Sequence, residues 1–492
     1  MADRYRDLRR LAIKLLDEAF QRLAQERVLP RSRYEPWIHV GSEFEGWLIM
    51  GLPSHAQFEA ALQAALPARF GTGQVGSMDF ASLYASNLVT SAVTRLTRTD
   101  QPYEAKQPAA LEVVRAFLKY VSLESEPVVM LYAVAGVQTE DDRPLKTRGL
   151  SVVPCTSIGD PHTKGLIERI IPGAGYALHD ASLFLVGLPS ALLVASTLER
   201  FRISDHFGDA RSRGTSNLNQ RLDGLVSGLR LATNGTVHVL GHAFGQPGPF
   251  QSYPARVGDT RFRDALADVR RVVTLDTRLV RRVGRLDRMW RSTVLPNKGI
   301  VPTLTIAIQR FNRAFGEEHW QERLTDLAVA LEAAMGQEND PAELSLRLRN
   351  RAAALLADES DDAGRIFDDL GVMYDLRSRV LHGSSQDPKK LMTRIEKVPA
   401  AALDTMPGTK VEFFIDRSRD LVRRAILARL LLAQGDAPEW PLSGAEDLDR
   451  RLSDDRVRQR LRKAWRAKLR HVGLASAAGP AVRAGSWHES KP

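Results

Sequence analysis

Residues 366–385 read IFDDLGVMYDLRSRVLHGSS, and the period of this stretch decides how its surroundings fold. Leu370, Met373, Tyr374, Val380 and Leu381 recur at helical spacing, which predicts an amphipathic helix over about 363–381. Gly383-Ser384-Ser385 then ends it, because a glycine accepts the backbone turn that closes a helix. Arg377 stands inside the apolar stripe, three residues after Tyr374 and four before Leu381. A guanidinium facing inward must meet a carboxylate, a ligand phosphate or a solvent-filled cleft, since burial alone would be costly. His382 follows in the last turn beside the glycine. The same arginine-to-histidine interval recurs at Arg466 and His471 and at Arg483 and His488. The first of these pairs lies in a basic helix and the second in a tail, so setting rather than spacing singles out Arg377 and His382.

Working outward, residues 297–436 have few glycines and long helical periods, which predicts an all-α bundle of four or five helices. The first spans roughly 302–315. In the second, ERLTDLAVALEAAM, Leu324, Leu327, Ala328, Leu331 and Met335 share a stripe. A third starts after Pro341, with Glu343 in its first turn and Leu344, Leu348, Ala352, Leu355 and Leu356 facing inward. The helix of Arg377 is the fourth, and a fifth covers about 411–433.

Before the bundle, residues 30–296 carry short β-rich runs such as EGWLIMGL, PVVMLYAVAGV and GLSVVPC, broken by Gly, Pro and Asn, and predict an α+β domain. In GLRLATNGTVHVLG the alternation of Leu229 and Leu231, the Asn234-Gly235 turn and Val237 and Val239 predict a β-hairpin. His238 and His242 then sit on or near a strand, so they share no helical face suited to a metal, and the reading is core or loop histidines. The segments 205–221 and 241–261 read as loops. Ahead of this domain, Leu8, Leu11, Ala12, Leu15, Leu16, Ala19 and Leu23 predict an amphipathic helix within 1–29.

The chain is too long, at 492 residues, for one core, and its single cysteine, Cys155, excludes a disulfide framework and fits a reducing, cytoplasmic setting. The most apolar window, 181–196, is short for a membrane span and is broken by Gly187 and Pro189, which suits two strands and a turn. No phosphate-cradling glycine loop and no paired-histidine zinc motif occurs, so no cofactor and no metal is expected. Net charge is +10, and 450–470 supplies most of it, with ten basic residues against Asp454 and Asp455. Within 437–470, Val457, Leu461, Ala464, Trp465 and Leu469 fall on one face. That predicts a basic amphipathic helix, which packs by this face, grips RNA phosphates through Arg458, Arg462, Lys463 and Arg466, or lies on an anionic membrane, a role that nothing else in the chain points to. Residues 471–492 read as a disordered tail.

YDLRSRVLHG, preceded by RLTDLAVALEAAMG and ELSLRLRNRAAALL, resembles the Apea-like branch of HEPN domains, over roughly 303–432. The resemblance implies a metal-independent endoribonuclease site made by Arg377 and His382, composite across a homodimer, in a toxin-like effector of bacterial antiphage defence. It departs from many such nucleases in placing Ser378 after the arginine. The chemistry suits these residues: histidine titrates near neutrality and can take the 2′-hydroxyl proton, while arginine's fork of donors matches phosphate oxygens. Tyr374, Asp375, Ser378 and Glu332 are candidate supporting residues. A structural reading stands beside this one, in which Arg377 pairs with Glu332 and staples the bundle, and Asp375 pairs with Arg379 at the surface. In a further alternative, the bundle binds nucleotide, RNA or a partner without cutting. The amino-terminal domain then carries the main function, and in either reading it is expected to sense or regulate, toward a phage-derived or regulatory partner.

Overall fold

The computed structural model describes residues 2–25, 51–66, 74–75, 78–97, 108–122, 125–141, 143–147, 150–155, 191–200, 209–233, 235–245, 256–257, 272–294, 302–317, 319–337, 343–381, 393–395, 407–434 and 448–480. A helical majority with a small antiparallel sheet makes the fold mixed α+β. The helices are α1 (Ala2–Gln25), α2 (Pro53–Ala65), α3 (Phe80–Thr97), α4 (Pro108–Val121), α5 (Asp209–Thr233), α6 (Thr277–Val294), α7 (Pro302–Arg313), α8 (Trp320–Met335), α9 (Leu344–Leu356), α10 (Ala363–Leu381), α11 (Pro407–Leu432), α12 (Leu448–Ser453) and α13 (Asp455–His471). The strands are β1 (Gln74–Val75), β2 (Met78–Asp79), β3 (Ser125–Ala135), β4 (Val137–Thr139), β5 (Leu145–Thr147), β6 (Leu150–Pro154), β7 (Ala191–Arg200), β8 (His238–Gly245), β9 (Arg256–Val257) and β10 (Val273–Leu275).

One compact unit comprises Met1–Ala133, Arg143–Leu222 and Leu240–Thr260. Its helical part forms because α1 spaces Leu8, Ala12, Leu15, Leu16 and Ala19 along one face, which packs with Phe58 and Leu62 of α2, Tyr84 and Leu88 of α3, and Val114 and Phe117 of α4. The first helix is therefore part of a core and not a separate element, and three further helices occupy a region that reads as β-rich in sequence. Strands run in the order β5-β6-β7-β3-β8-β9. β6 and β7 are antiparallel, with Val152 opposite Leu193 and Pro154 opposite Ala191. The apolar runs 129–135 and 191–195 are buried residue by residue, the mark of strands covered on both faces. β7 is thus the second strand expected within 181–196; the first lies outside the described residues, as do 45–50 of EGWLIMGL.

The other unit comprises Val134–Asp142, Asp223–Val239 and Arg261–Pro492, so the division does not fall at 296. β4 and β10 pair in parallel here, Val137 beside Val273. The expected hairpin at 229–239 is a helix end followed by a strand. Leu218, Leu222, Leu225, Val226 and Leu229 keep a 3.6-residue period that outweighs the short alternation at 229 and 231, and α5 absorbs them along with most of the loop read at 205–221. α5 lies close on α6, since a Cβ at Gly228 would overlap Val283. In the bundle, the stripe of α8 is buried as expected, α10 covers Ala363–Leu381, and Glu343 precedes α9 in a left-handed conformation without capping it through its side chain. Leu344 is exposed, contrary to the inward position read for it.

α11 is buried on every side from Phe414 to Leu432, although it carries Asp416, Arg417, Arg419, Asp420, Arg423, Arg424 and Arg429. Burying charge costs several kcal/mol per ion unless partners repay it, and the partners are present. Arg417 donates to Asp361 and Asp369, Arg424 pairs with Asp361 and Asp420, and Arg423 donates to Asp420 and to the carbonyls of Leu231, Ala477 and Gly479. The last two contacts correct the sequence reading of the tail. Residues 472–480 are packed, with a 3-10 turn at Ala475–Ala478 and Val472, Leu474 and Ala477 buried, while 481–492 lie outside the described residues.

Candidate functional site

α10 presents Tyr374 and Arg377 toward α8, one turn apart, because three residues along a helix return to the same face. Arg377 Nη1 donates to Glu332 Oε1 on α8, as the structural reading of the sequence expects. The two side chains keep 23% and 20% of their surface, so the pair sits at an edge that solvent reaches. Burial raises the Glu332 carboxyl above its ordinary range, and Arg377 partly offsets this. The Tyr374 phenol is pushed well above its ordinary value, first by burial and then by the charge of Glu332. Among the described residues, neither the Tyr374 hydroxyl nor Arg377 Nε has a hydrogen-bond partner. The arrangement is a guanidinium held from one side at a solvent-reached edge, with its own Nε–H and the phenol O–H of Tyr374 buried beside it without an acceptor.

His382 lies outside the described residues, immediately past the end of α10. Ser378 is exposed. Asp375 lies 3.6 Å from Arg379, the surface ion pair read from spacing, and also pairs with Arg394. His238 is buried, with Nδ1 2.9 Å from the Phe315 carbonyl, a core histidine as expected. His242, at 5.9 Å from the Tyr132 ring, completes no metal set, and no cluster of metal-ligating side chains occurs among the described residues. No helix among them is long and apolar enough to cross a membrane.

The basic helix α13 packs by Leu461, Trp465 and Leu469, and the arginines read as phosphate ligands have other work. The final turns of a helix leave carbonyls without partners, and cations are favoured there. Arg462 donates to the carbonyls of Ala354 and Ala353, Trp465 Nε1 to Leu355, and Arg466 to Leu356 and Ala357, which together cap α9. Arg458 likewise serves Leu452 and Ser453 at the end of α12, and Lys468 serves Leu431 and Gln434 at the end of α11. Of the four residues named for RNA contact, Arg458, Arg462 and Arg466 are therefore turned to backbone. Lys463 alone is exposed.

Two features escaped the sequence reading. The buried network on α11 looks in sequence like i,i+3 and i,i+4 surface pairs, and its key partner, Asp361, lies 56 positions away from Arg417. The second is α6, where Arg278, Arg281, Arg285 and Arg288 are all exposed; their spacing was a sufficient signal. No family model matches the chain, and no curated protein or solved structure matches it either.

Proposed function

We propose that the chain is a cytoplasmic, metal-independent endoribonuclease in which Arg377 and His382 cut RNA, serving as a toxin-like effector in antiphage defence. The observation that supports this reading is the incompletely satisfied guanidinium of Arg377, held by Glu332 at a solvent-reached edge beside the Tyr374 hydroxyl. His382 takes the proton from a 2′-hydroxyl, whose oxygen forms a new bond to phosphorus. The bond to the 5′-oxygen breaks, and that oxygen leaves with a proton. Arg377 offsets the charge that builds on the phosphoryl oxygens, as preorganised donors do. Products are a 2′,3′-cyclic phosphate and a 5′-hydroxyl, and DNA survives because it lacks the nucleophile. Purified protein incubated with total RNA should cut with or without EDTA, and Arg377→Ala or His382→Ala should slow cutting by about 10²- to 10³-fold. Folded variants that cut as fast as the parent would sink the assignment.

The Arg377–Glu332 pair itself favours a second reading, a non-catalytic bundle that binds nucleotide, RNA or a partner, with sensing in the amino-terminal unit. The two readings separate on His382→Ala. In the second, parent and variant both leave RNA intact, and binding is unchanged.

One helix end approaches a phosphate from one side only, so we place the working site in a homodimer whose twofold axis passes near the two copies of His382. Light scattering is expected to show a dimer at working concentration. A fully active monomer would remove this part of the proposal.

A further inference from the structure

Arginine at 278, 281, 285 and 288 follows an i, i+3, i+7, i+10 pattern, which sets all four side chains on one face of α6. All four are exposed. No carboxylate among the described residues pairs with any of them, unlike three other arginines of the same unit. Arg291 is held 2.9 Å from Asp287, Arg310 is 2.9 Å from Asp326, and Arg313 is 2.6 Å from Glu317. The opposite face of α6 is used in packing, with Val280, Val283 and Leu286 buried and Val283 against Gly228 of α5. At 1.5 Å per residue the four charges extend over about 15 Å, the length of roughly four phosphates along one strand of a duplex.

We propose that this stripe is a phosphate-backbone track that holds an RNA strand without reading its sequence. The identity of the polymer rests on the ribonuclease reading above. The charges argue for the kind of partner. Guanidinium forks match phosphate oxygens in two-donor geometry, and four of them in line leave a repulsion that a polyanion relieves. A membrane surface fits less well, because interfacial helices insert an apolar face, and the apolar face of α6 is already buried in the protein. The side chain of Arg282, between the stripe and the packed face, lies against Gly473 just past α13, and Gln434 receives Lys468 of α13 while donating to the Met289 carbonyl of α6. α6 and α13 are thus neighbours within one unit. Arg456, Arg460, Lys463 and Arg470 of α13 are exposed in the same unit.

The test uses the full chain carrying Arg278→Gln, Arg281→Gln, Arg285→Gln and Arg288→Gln together, with a charge-keeping variant bearing lysine at the same four positions. Binding of a short single-stranded DNA, which the proposed chemistry leaves intact, is followed by fluorescence anisotropy against salt, beside a single-stranded RNA on the His382→Ala background. Four lost phosphate contacts should flatten the slope of log affinity against log salt by about 2.8. Between about 50 and 200 mM salt the parent should then lose roughly 50-fold more affinity than the glutamine variant. The lysine variant should keep the parental slope. An unchanged slope in the glutamine variant overturns the track, and so does an equal loss in both variants, which would mark a packing effect. Binding of the parent to phosphatidylserine vesicles, without binding to either oligonucleotide, overturns it in favour of a membrane. Because binding is read without cleavage, a failure of the Arg377 and His382 chemistry leaves this outcome separately legible.

Discussion

Replacing Asp361 with alanine is expected to destabilise the protein by about 3–5 kcal/mol, the cost of stranding buried charges that have lost their partner. Asp361 is 2% exposed and receives both Nη atoms of Arg417, at 2.9 and 2.7 Å, together with Arg424 Nη2. Both arginines lie on α11, which has no solvent-facing side toward which they could swing. Arg417 would keep Asp369 at 2.7 Å and Arg424 would keep Asp420 at 3.2 Å, so the network would be broken and not removed. Burial alone would raise the Asp361 carboxyl, but Arg417 and Arg424 hold it below its ordinary value of 3.8. A carboxyl depressed in the folded state contributes stability above its unfolded value, and the contribution disappears as pH falls through the lower folded value. The parent should therefore lose stability as pH drops below 3.8, and Asp361→Ala should lose less over the same interval. Urea unfolding at neutral and at acid pH reads both quantities. A neutral-pH loss under about 1 kcal/mol would mean that α11 can rearrange to solvate its arginines.

What was legible in the sequence follows the physical range of each signal. α8 and α10 were legible because an amphipathic stripe is local, and the partnership of Arg377 with Glu332 followed from asking what an inward cation needs. The end of α5 was misread because two leucines at alternate positions satisfy a strand over four residues and a helix over fifteen, and only the longer window decides. α11 was placed by its apolar residues, but its complete burial was not legible. Asp416 to Arg419 and Asp420 to Arg423 have the spacing of solvated pairs, and nothing local announces that Asp361 arrives from before α10 to pair with Arg417 and Arg424 of the same helix. For α13, the charge was read correctly and its destination was not. Whether an arginine meets a phosphate or a helix carbonyl depends on where the carbonyl ends of α9, α11 and α12 point, which is a tertiary fact.

Trp465→Ala should cost about 3–5 kcal/mol, the range for emptying a buried aromatic site. The indole is wholly buried, its Nε1 donates to the Leu355 carbonyl at 3.2 Å, and the Arg466 guanidinium lies 4.7 Å above the ring. Removing it opens a cavity, takes one cap from α9 and loosens the residue on which Arg466 rests while serving Leu356 and Ala357. Trp465→Phe separates these effects. It keeps most of the volume and loses the N–H, so it should cost about 1–3 kcal/mol, the penalty of a buried carbonyl left without its donor. The same geometry changes how removal of 450–492 has to be read. That deletion takes away most of α12, Trp465, the caps on α9 and α11, and the Ala477 and Gly479 carbonyls that receive Arg423. The truncated chain should therefore unfold before its RNA binding can be compared with the parent. Exposed-face substitutions test phosphate contact without that damage, whereas Trp465→Ala tests whether α13 closes the bundle. Thermal unfolding of Trp465→Ala within about 1 kcal/mol of the parent would mean that α13 is an appendage, and would return its inward arginines to the list of RNA contacts.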